Sequence, residues 1–513
     1  MLSACGGGKG SSAPPPADFK VQATDQAVTM TWTNDPNVDY WVFIGPPGTT
    51  PENFASTAGA YAYVHVTSPY TIYGLTVNGL ASALVNGKQY AVTINARSSG
   101  GAGGPSSAPQ IVTPTAAGIT WTSGSPLISK IDTTADDLFA GSYGQPLTLS
   151  GTTLYSNGIA PKFVFTGHNG AAFYSTLAGD GQNYDFVSTT TGVASGTDLN
   201  ALSYGPGMGF LTAGNGGQAS LSLDGATWTV QTTGTARNFR ALASTSASTF
   251  IATGDGCMVF GVATGGSTQT SVWTDYTSGF SSSANFSAAC ASGTPPSLQA
   301  AVVGGGYATA AGTQGTLAFS SGFGSTTAAW VAASPTYPTG VSAASVTLRS
   351  LLYGTVYETQ SNGSSTAVPL WVAVGDYTDS GSVVHPLILY TTTLPTVVNS
   401  VATWSSWTSA ALPAGLPSGT HLYSVSAATD PINGGLTQLF VVGDHGVILN
   451  DLLASPVNTN GVVTTQITSS PAQSWTQYAY PAGQSQAASL RALARGHYGL
   501  QAVGTGGTRL FTY

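Results

Sequence analysis

Charge is what this chain has least of. Of its 513 residues only 6% are Asp, Glu, Lys or Arg, against about 25% in an average soluble protein. Lysine and arginine together number 12 and are scattered along the whole length. Nucleic acids and anionic lipids require clustered positive charge, so no nucleic-acid partner is expected. Glutamate occurs only twice, as Glu52 and Glu358. No run of 18 apolar residues exists, so no transmembrane helix is expected. There are three cysteines, with no CxxC and no closely spaced histidine pair, so neither a metal nor a cofactor is expected.

The residues that are present tell a consistent story. Hydrophobic residues make up 42% of the chain, which is ample for a core and argues against disorder. The polar surface must then be built from Ser, Thr, Asn, Gln and Gly, a composition that suits β-rich extracellular proteins. A length prior suggests about three units of roughly 150 residues, but repeat folds escape that prior.

A repeat is indeed the dominant feature. Seven times between residues 160 and 513 a β-rich run meets a glycine-marked tight turn and a second β-rich run follows. The pivotal glycines are read as Gly167, Gly214, Gly254, Gly304, Gly375, Gly443 and Gly504. A fixed phrase at such a period marks a repeat architecture. Each unit opens with an inner strand, as in Leu199-Asn200-Ala201-Leu202, Phe239-Arg240-Ala241-Leu242, Leu348-Arg349-Ser350-Leu351 and Leu490-Arg491-Ala492-Leu493. A tryptophan often ends the unit: Trp228, Trp273, Trp330, Trp404 or Trp407, and Trp475. Four strands per unit with aromatic punctuation predict a seven-bladed β-propeller over residues 117–513. The glycines are expected to supply the positive φ of a tight hairpin. The seventh unit lacks its tryptophan strand, and the missing piece stands at the front as Ile119-Thr120-Trp121-Thr122. A strand from there would close the ring and remove open sheet edges.

Residues 1–15 read as a flexible Gly/Ser/Pro tether and residues 16–115 as a small β-sandwich. Alternation in Val28-Thr29-Met30-Thr31-Trp32 predicts a strand with one buried face, and Tyr40-Trp41-Val42-Phe43-Ile44 its partner. The fold class is thus all-β, a sandwich followed by a propeller. Leu84-Val85-Asn86-Gly87-Lys88-Gln89-Tyr90 resembles the leucine and tyrosine corner of a fibronectin type III domain, and GGAGGPSS at 100–107 is similar to that family's final turn. Such sandwiches carry many functions, so a spacer or adhesion module is implied and no activity. Leu2-Ser3-Ala4-Cys5 ahead of the tether resembles a bacterial lipobox, without the basic and apolar regions of a signal peptide. The resemblance implies lipidation of Cys5, an exported bacterial protein at the outer membrane or cell surface, and membrane contact through that anchor only. In an exported protein Cys257 and Cys290 can pair as a disulfide or remain two buried thiols.

Ser222-Leu223-Asp224-Gly225-Ala226-Thr227-Trp228 resembles the Asp-box of sialidase-like (BNR) propellers, with Ser222, Asp224, Gly225 and Trp228 as structural residues. The glycine phrase is similar to the repeat of photosystem II assembly and stability factor-like propellers, which implies a scaffold role. A sialidase likeness raises glycosidase chemistry, which needs an arginine trio, a Tyr/Glu nucleophile pair and an acidic proton donor. Two glutamates and the absence of that family's Arg-Ile-Pro phrase speak against it.

Arg240, Arg349 and Arg491 occupy one repeat position, which suits blade packing or, on inner strands, one side of a central channel that attracts an anion. Asp255, Asp376 and Asp444 share the position after the turn glycine, where a short polar side chain can hydrogen-bond the turn. The phrase is broken by insertions after Gly304, at 305–315, and after Gly375, at 376–386. Such insertions are expected on one face, often the binding face. Tyr307, Asp376, Tyr377, Asp379 and His385 are the candidate binding residues there, since Tyr offers both a flat apolar face and a hydroxyl. No nucleophile accompanies the Asp–His pairing, so no catalytic residue is assigned. The function expected is non-enzymatic binding or scaffolding of a protein or glycan at the cell envelope. The alternatives are a sialidase-like carbohydrate-active enzyme and a structural surface or filament component.

Overall fold

A computed structural model describes residues 12–24, 26–72, 74–77, 80–98, 105–115, 121–128, 137–150, 153–156, 161–177, 184–246, 248–264, 269–324, 329–359, 365–398, 401–404, 407–429, 435–459, 462–467, 475–481, 488–496 and 499–512. Cys5 and the lipobox-like residues lie outside them.

The N-terminal strands build two sheets around one core. Lys20–Thr24, Ala27–Thr31 and Tyr70–Ile72 form the smaller sheet. In the larger sheet Tyr90–Ser98 pairs with Val38–Gly45 and also with Ser12–Ala13 and Gln110–Val112, while Tyr61–Val66 forms its far edge. Val28, Met30 and Trp32 from one sheet meet Val42, Ile44, Val92 and Ile94 from the other. This is the inward alternation expected of strands with one buried face. Tyr90 is buried and its hydroxyl accepts from the Val85 amide at 3.0 Å, next to fully buried Leu84.

Seven four-stranded antiparallel sheets follow. Their innermost strands are Leu138–Gly144, Ala201–Gly205, Phe239–Ser246, Leu298–Gly304, Val346–Thr359, Leu422–Thr429 and Leu490–Gly496. Each innermost strand contacts that of the next blade, and the last contacts the first, so the blades, numbered 1 to 7, form a closed ring. Closure is made as the sequence predicts. Thr122–Ser123 is the outer strand of blade 7, with Thr122 opposite Phe511 and Ser123 opposite Leu510. Trp121 is packed beside it among Phe440, Leu493 and Leu500.

Alternation explains why the ring is stable. Each second strand is buried on both faces, so consecutive residues serve opposite neighbours. In blade 6, Leu439 and Val441 join the core shared with blade 5, while Phe440 and Val442 join the core shared with blade 7. In blade 3, Phe250 and Ala252 face blade 2 while Ile251 faces blade 4. The tryptophans act at these seams. Trp404 lies 5.2 Å from Phe319 of blade 4 and 4.9 Å from Trp371 of blade 5. Trp330 packs on Phe280, in a short helical excursion between blades 3 and 4. Cys290 in the same excursion is disulfide-bonded to Cys257, which sits fully buried in the turn between the second and third strands of blade 3.

The glycines do a different job from the one expected. Gly167, Gly214, Gly443 and Gly504 have φ of −167°, −162°, −160° and −170°, extended backbone open to any residue. Positive φ falls two and three residues later, at Asn169 and Gly170, Gly216 and Gly217, Gly256 and Cys257, His445 and Gly446, Gly506 and Gly507. What the pivotal position needs is the absence of a side chain. A Cβ at Gly214 would lie 1.9 Å from the Asp198 carbonyl oxygen, and one at Gly504 would lie 1.8 Å from that of Ser489. In both cases this is the carbonyl two residues before the residue that enters the central channel.

This criterion corrects the fourth pivot. Gly304 ends the innermost strand of blade 4 and not its second strand. The equivalent glycine is Gly312, where a Cβ would lie 1.9 Å from the Ser297 carbonyl oxygen. The stretch read as an insertion at 305–315 is the second strand, Tyr307–Gly312, with an ordinary turn after it. Gly312→Ala is therefore expected to destabilise the protein by about 2–3 kcal/mol through overpacking, whereas Gln314→Gly, at φ +58°, leaves stability unchanged or higher by about 1 kcal/mol. Urea unfolding of the two variants measures this difference. Replacing Cys257 and Cys290 together by alanine is expected to lower unfolding free energy by about 2–4 kcal/mol, read by the same method.

Candidate functional site

In every blade the innermost strand begins, and the second strand ends, on the same side of the ring. On this glycine face the seven chains converge on the channel mouth. The ladder slips by one residue there: Phe239 pairs Gly254 and Ala241 pairs Thr253, leaving Arg240 unpaired between them. The same slip frees residue 139, 299, 349, 423 and 491 in blades 1, 4, 5, 6 and 7. A bulge of this kind re-aims a side chain. The residue before each bulge is a fully buried anchor, such as Leu348 or Leu490, and the bulged residue lines a central cavity of about 220 Å³. Around its rim stand Phe139, Asn200, Arg240, Gln299, Arg349, Tyr423 and Arg491.

The residue after each pivotal glycine is brought beside this rim. Asp255 takes Arg240 in a two-pronged pair, Nε to Oδ1 at 3.0 Å and Nη2 to Oδ2 at 2.9 Å. Asn238 donates to the same carboxylate at 2.9 Å, and Ser297 of blade 4 also donates to it. Burial pushes the Asp255 carboxyl up, but the hydrogen bonds from Arg240, Ser297 and Asn238 and the guanidinium charge outweigh it and hold it below the ordinary range. Asp376 is buried and accepts from Arg349 Nε at 2.7 Å, with His421 Nδ1 at 2.9 Å. Asp444 accepts from the Tyr423 hydroxyl and the His421 amide, both at 3.2 Å, and from Ser489. Blade 7 departs from this pattern. Thr505 stands after its glycine, and Arg491 forms no ion pair among the described residues. Its guanidinium carbon lies 4.0 Å from the Tyr423 ring centre, with that of Arg349 at 5.5 Å from the same ring. Tyr423 is pushed up to about 12, chiefly by burial.

Blade 5 alone extends its second hairpin beyond the glycine. Tyr377 pairs His385 across the ladder and their rings stack at 5.1 Å. Asp379 closes the turn by accepting from the Gly381 and Val383 amides at 2.8 and 2.9 Å, and its other oxygen lies 2.9 Å from His385 Nε2. These contacts, led by the one to His385, lower the Asp379 carboxyl. The Asp–His pair thus shapes a hairpin tip.

Of the sequence-predicted binding residues, Arg240, Arg349, Arg491, Asp376, Tyr377, Asp379 and His385 all lie on the glycine face. Tyr307 does not. It starts the second strand of blade 4, at the opposite end of the sheet, and packs edge-on against Phe319 at 5.8 Å. The single face expected from insertions in blades 4 and 5 is corrected accordingly. Glu358 falls in the strand Val346–Thr359, and Glu52 in an exposed turn of the sandwich. Phe139, Asn200, Gln299, Tyr423 and His421 were missed. For the first four the signal available was their fixed place after the anchoring Leu; His421 stands just before its anchor, Leu422.

The Asp224 hairpin, in the outer half of blade 2, is held mainly by its own side chains, with Lys162 and Thr189 of blade 1 donating to the Asp224 and Ala226 carbonyls at 3.2 and 2.8 Å. Asp224 Oδ1 accepts from the Ala226 and Thr227 amides at 2.8 and 2.7 Å, Ser222 Oγ from the Gly225 amide at 2.8 Å, and Trp228 Nε1 donates to the Gly225 carbonyl at 3.2 Å. Burial raises the Asp224 carboxyl, and the hydrogen bonds from the Thr227 and Ala226 amides and the Ser222 hydroxyl, with the charge of Lys162, more than reverse it. Among the described residues no group of three His, Cys, Asp or Glu side chains is placed to hold a metal, and no helix is long and apolar enough to cross a membrane.

Fold and site together define a β-propeller with a polar channel mouth, joined to an N-terminal β-sandwich. No known family profile and no curated protein match the chain. The solved structures similar to it include two of YCF48. YCF48 from Cyanidioschyzon merolae has 11% identity and a TM-score of 0.48, covering 77% of this chain and 98% of its own. A structure of YCF48 bound to D1 peptide has 9% identity and a TM-score of 0.41, covering 76% and 94%.

The Asp255 clasp has a pH signature. Its carboxyl is depressed in the folded state, so its contribution is full above the unfolded value of about 3.9 and fades as pH falls through the folded value. Urea midpoints are expected to fall below about pH 4, and to fall less steeply in Asp255→Asn than in the wild type.

Proposed function

We propose that the protein is a non-enzymatic binding scaffold that holds a protein partner on the glycine face of its propeller. One observation carries the reading: the only extended second hairpin among the described blades stands on the same face as the three rim arginines, and Arg349 joins the two through Asp376. The stacked Tyr377 and His385 give that hairpin a flat aromatic side. Aromatic residues and arginine are enriched at protein interfaces, where they supply most of the binding energy. The sandwich then serves as a fibronectin type III-like stalk. The Cys257–Cys290 disulfide is in keeping with an oxidising compartment and so with export. Lipidation at Cys5 would tether the stalk to the cell envelope.

A sialidase-like activity is less well supported. An arginine trio must be free to clamp a substrate carboxylate, yet Arg240 and Arg349 are each clasped by an aspartate of their own blade. The carboxylates there are equally engaged.

The test is a selection of displayed peptides against the full chain, repeated on a variant whose residues 377–385 are replaced by a two-residue turn. Binders are expected to be enriched on the wild type and to weaken by at least about tenfold, or about 1.4 kcal/mol, on the variant. Turnover of a chromogenic glycoside, a glycan-array signal with no peptide binding, or growth of the purified protein into filaments would each overturn the reading.

A further inference from the structure

The structure assigns to the channel mouth a socket for an aliphatic carboxylate, with Arg491 as the group that receives the charge. This rests on the scaffold reading and names the chemistry of the part of the partner that enters.

The socket is built in three tiers. Three arginines and no acidic side chain line the cavity of about 220 Å³. Just below the rim the wall is made of five alanines and two serines, one from each blade. The serines are occupied, since Ser350 Oγ accepts from the Val425 amide at 3.3 Å and Ser424 Oγ from the Leu493 amide at 3.1 Å. Deeper still, leucines of blades 2, 3, 5 and 7 and Val425 line the cavity. A ligand that fits has an anionic head at the rim, where the exposed lining is mostly polar, and at most a short apolar group reaching the edges of these side chains, which are otherwise packed in the cores between blades.

Which arginine is available follows from the repeat. The position after the pivotal glycine holds Asp255 in blade 3 and Asp376 in blade 5, and each neutralises the arginine of its own blade. In blade 7 that position is Thr505, whose Oγ1 accepts from the Ser489 amide at 3.0 Å. Arg491 is left with its guanidinium over the Tyr423 ring and a solvent-shielded Nε that has no hydrogen-bond partner. An orphaned, buried donor is costly, and a carboxylate oxygen accepts from guanidinium groups in strong, often two-pronged bonds. Asp444 of the neighbouring blade 6 has its two oxygens engaged by Ser489, Tyr423 and the His421 amide.

The seven arginines of the chain make the test direct. Full-length protein labelled on arginine is titrated with 4-methylpentanoate, with acetyl-Gly-Gly-Leu as the free acid, and with the same peptide amidated, following the Nε–H resonances. The Arg491 resonance is expected to move with both acids and not with the amide. A tighter peptide acid assigns the socket to chain ends and a tighter small acid to free organic acids, and either ranking supports it. Thr505→Asp, which imports the residue of blades 3 and 5, is expected to weaken acid binding at least about tenfold, as is Arg491→Gln, with the melting temperature of each variant confirming the fold. Amide binding equal to acid binding, no saturation below about 10 mM, or a Thr505→Asp protein that binds like the wild type would overturn the socket. Peptides that bind the glycine face of wild type and Thr505→Asp alike would do so while leaving the scaffold reading intact. Loss of all peptide binding with the acid titration unchanged would do the reverse.

Discussion

The propeller depends on one close approach repeated around the ring. At the end of each second strand a glycine lies beneath the carbonyl group that precedes the innermost strand, so near that a Cβ at Gly167, Gly254 or Gly375 would sit about 2 Å from that oxygen. The next amide then donates to the same carbonyl, as His168 does to Asp137 at 2.8 Å and Asp444 to His421 at 3.0 Å. Every blade therefore turns at the same height. The bulged residue of the innermost strand and the residue after the glycine become neighbours in space, however far apart they are in sequence. Any side chain on the glycine would separate them.

From that constraint the electrostatics of the channel mouth follow. The backbone supplies seven equivalent pairs of positions, and the sequence fills them differently. Where an arginine meets an aspartate, as in blades 3 and 5, charge is satisfied within the blade and the pair fixes the turn. Blade 6 joins Tyr423 to Asp444 by a hydrogen bond between neighbours of the same two kinds of position. Blade 2 does it with amides, Asn200 donating to Asn215 at 3.0 Å. Only blade 7 gives an arginine a partner that cannot carry charge.

The sequence made the ring legible and left the mouth half-read. Repetition of the glycine phrase and the displaced Trp121 strand were enough to predict blades and closure, because alternation and sheet edges are properties of short segments. The arginines stood out by type, but their aspartates lie 15 and 27 residues further on, across strands of unequal length, so the pairing was invisible. Gly304 misled for a physical reason. The hairpin between the first two strands of blade 4 has its own glycines, Gly305 and Gly306, both at positive φ, and they imitate the phrase one turn too early. That single displacement carried Tyr307 to the wrong face. Phe139, Gln299 and Tyr423 share a place and no chemistry, so only the bulge unites them.

Scarcity of charge gives these few groups their weight. A chain with 12 lysines and arginines in all has set three of its seven arginines on one cavity rim. Elsewhere its polar side chains are mostly neutral and the charges that occur are mainly acidic, 20 Asp and Glu giving the chain a net charge of −8, so attraction of an anion is confined to this rim. Two of the three arginines are committed to internal pairs, so they orient the rim more than they attract. The third stands over the Tyr423 ring with its Nε shielded from solvent, where an unanswered donor is expensive. The same surroundings that let Arg491 discriminate also explain why one such group suffices. A second unpaired arginine at this rim would add repulsion in the empty state without adding selectivity for an apolar tail.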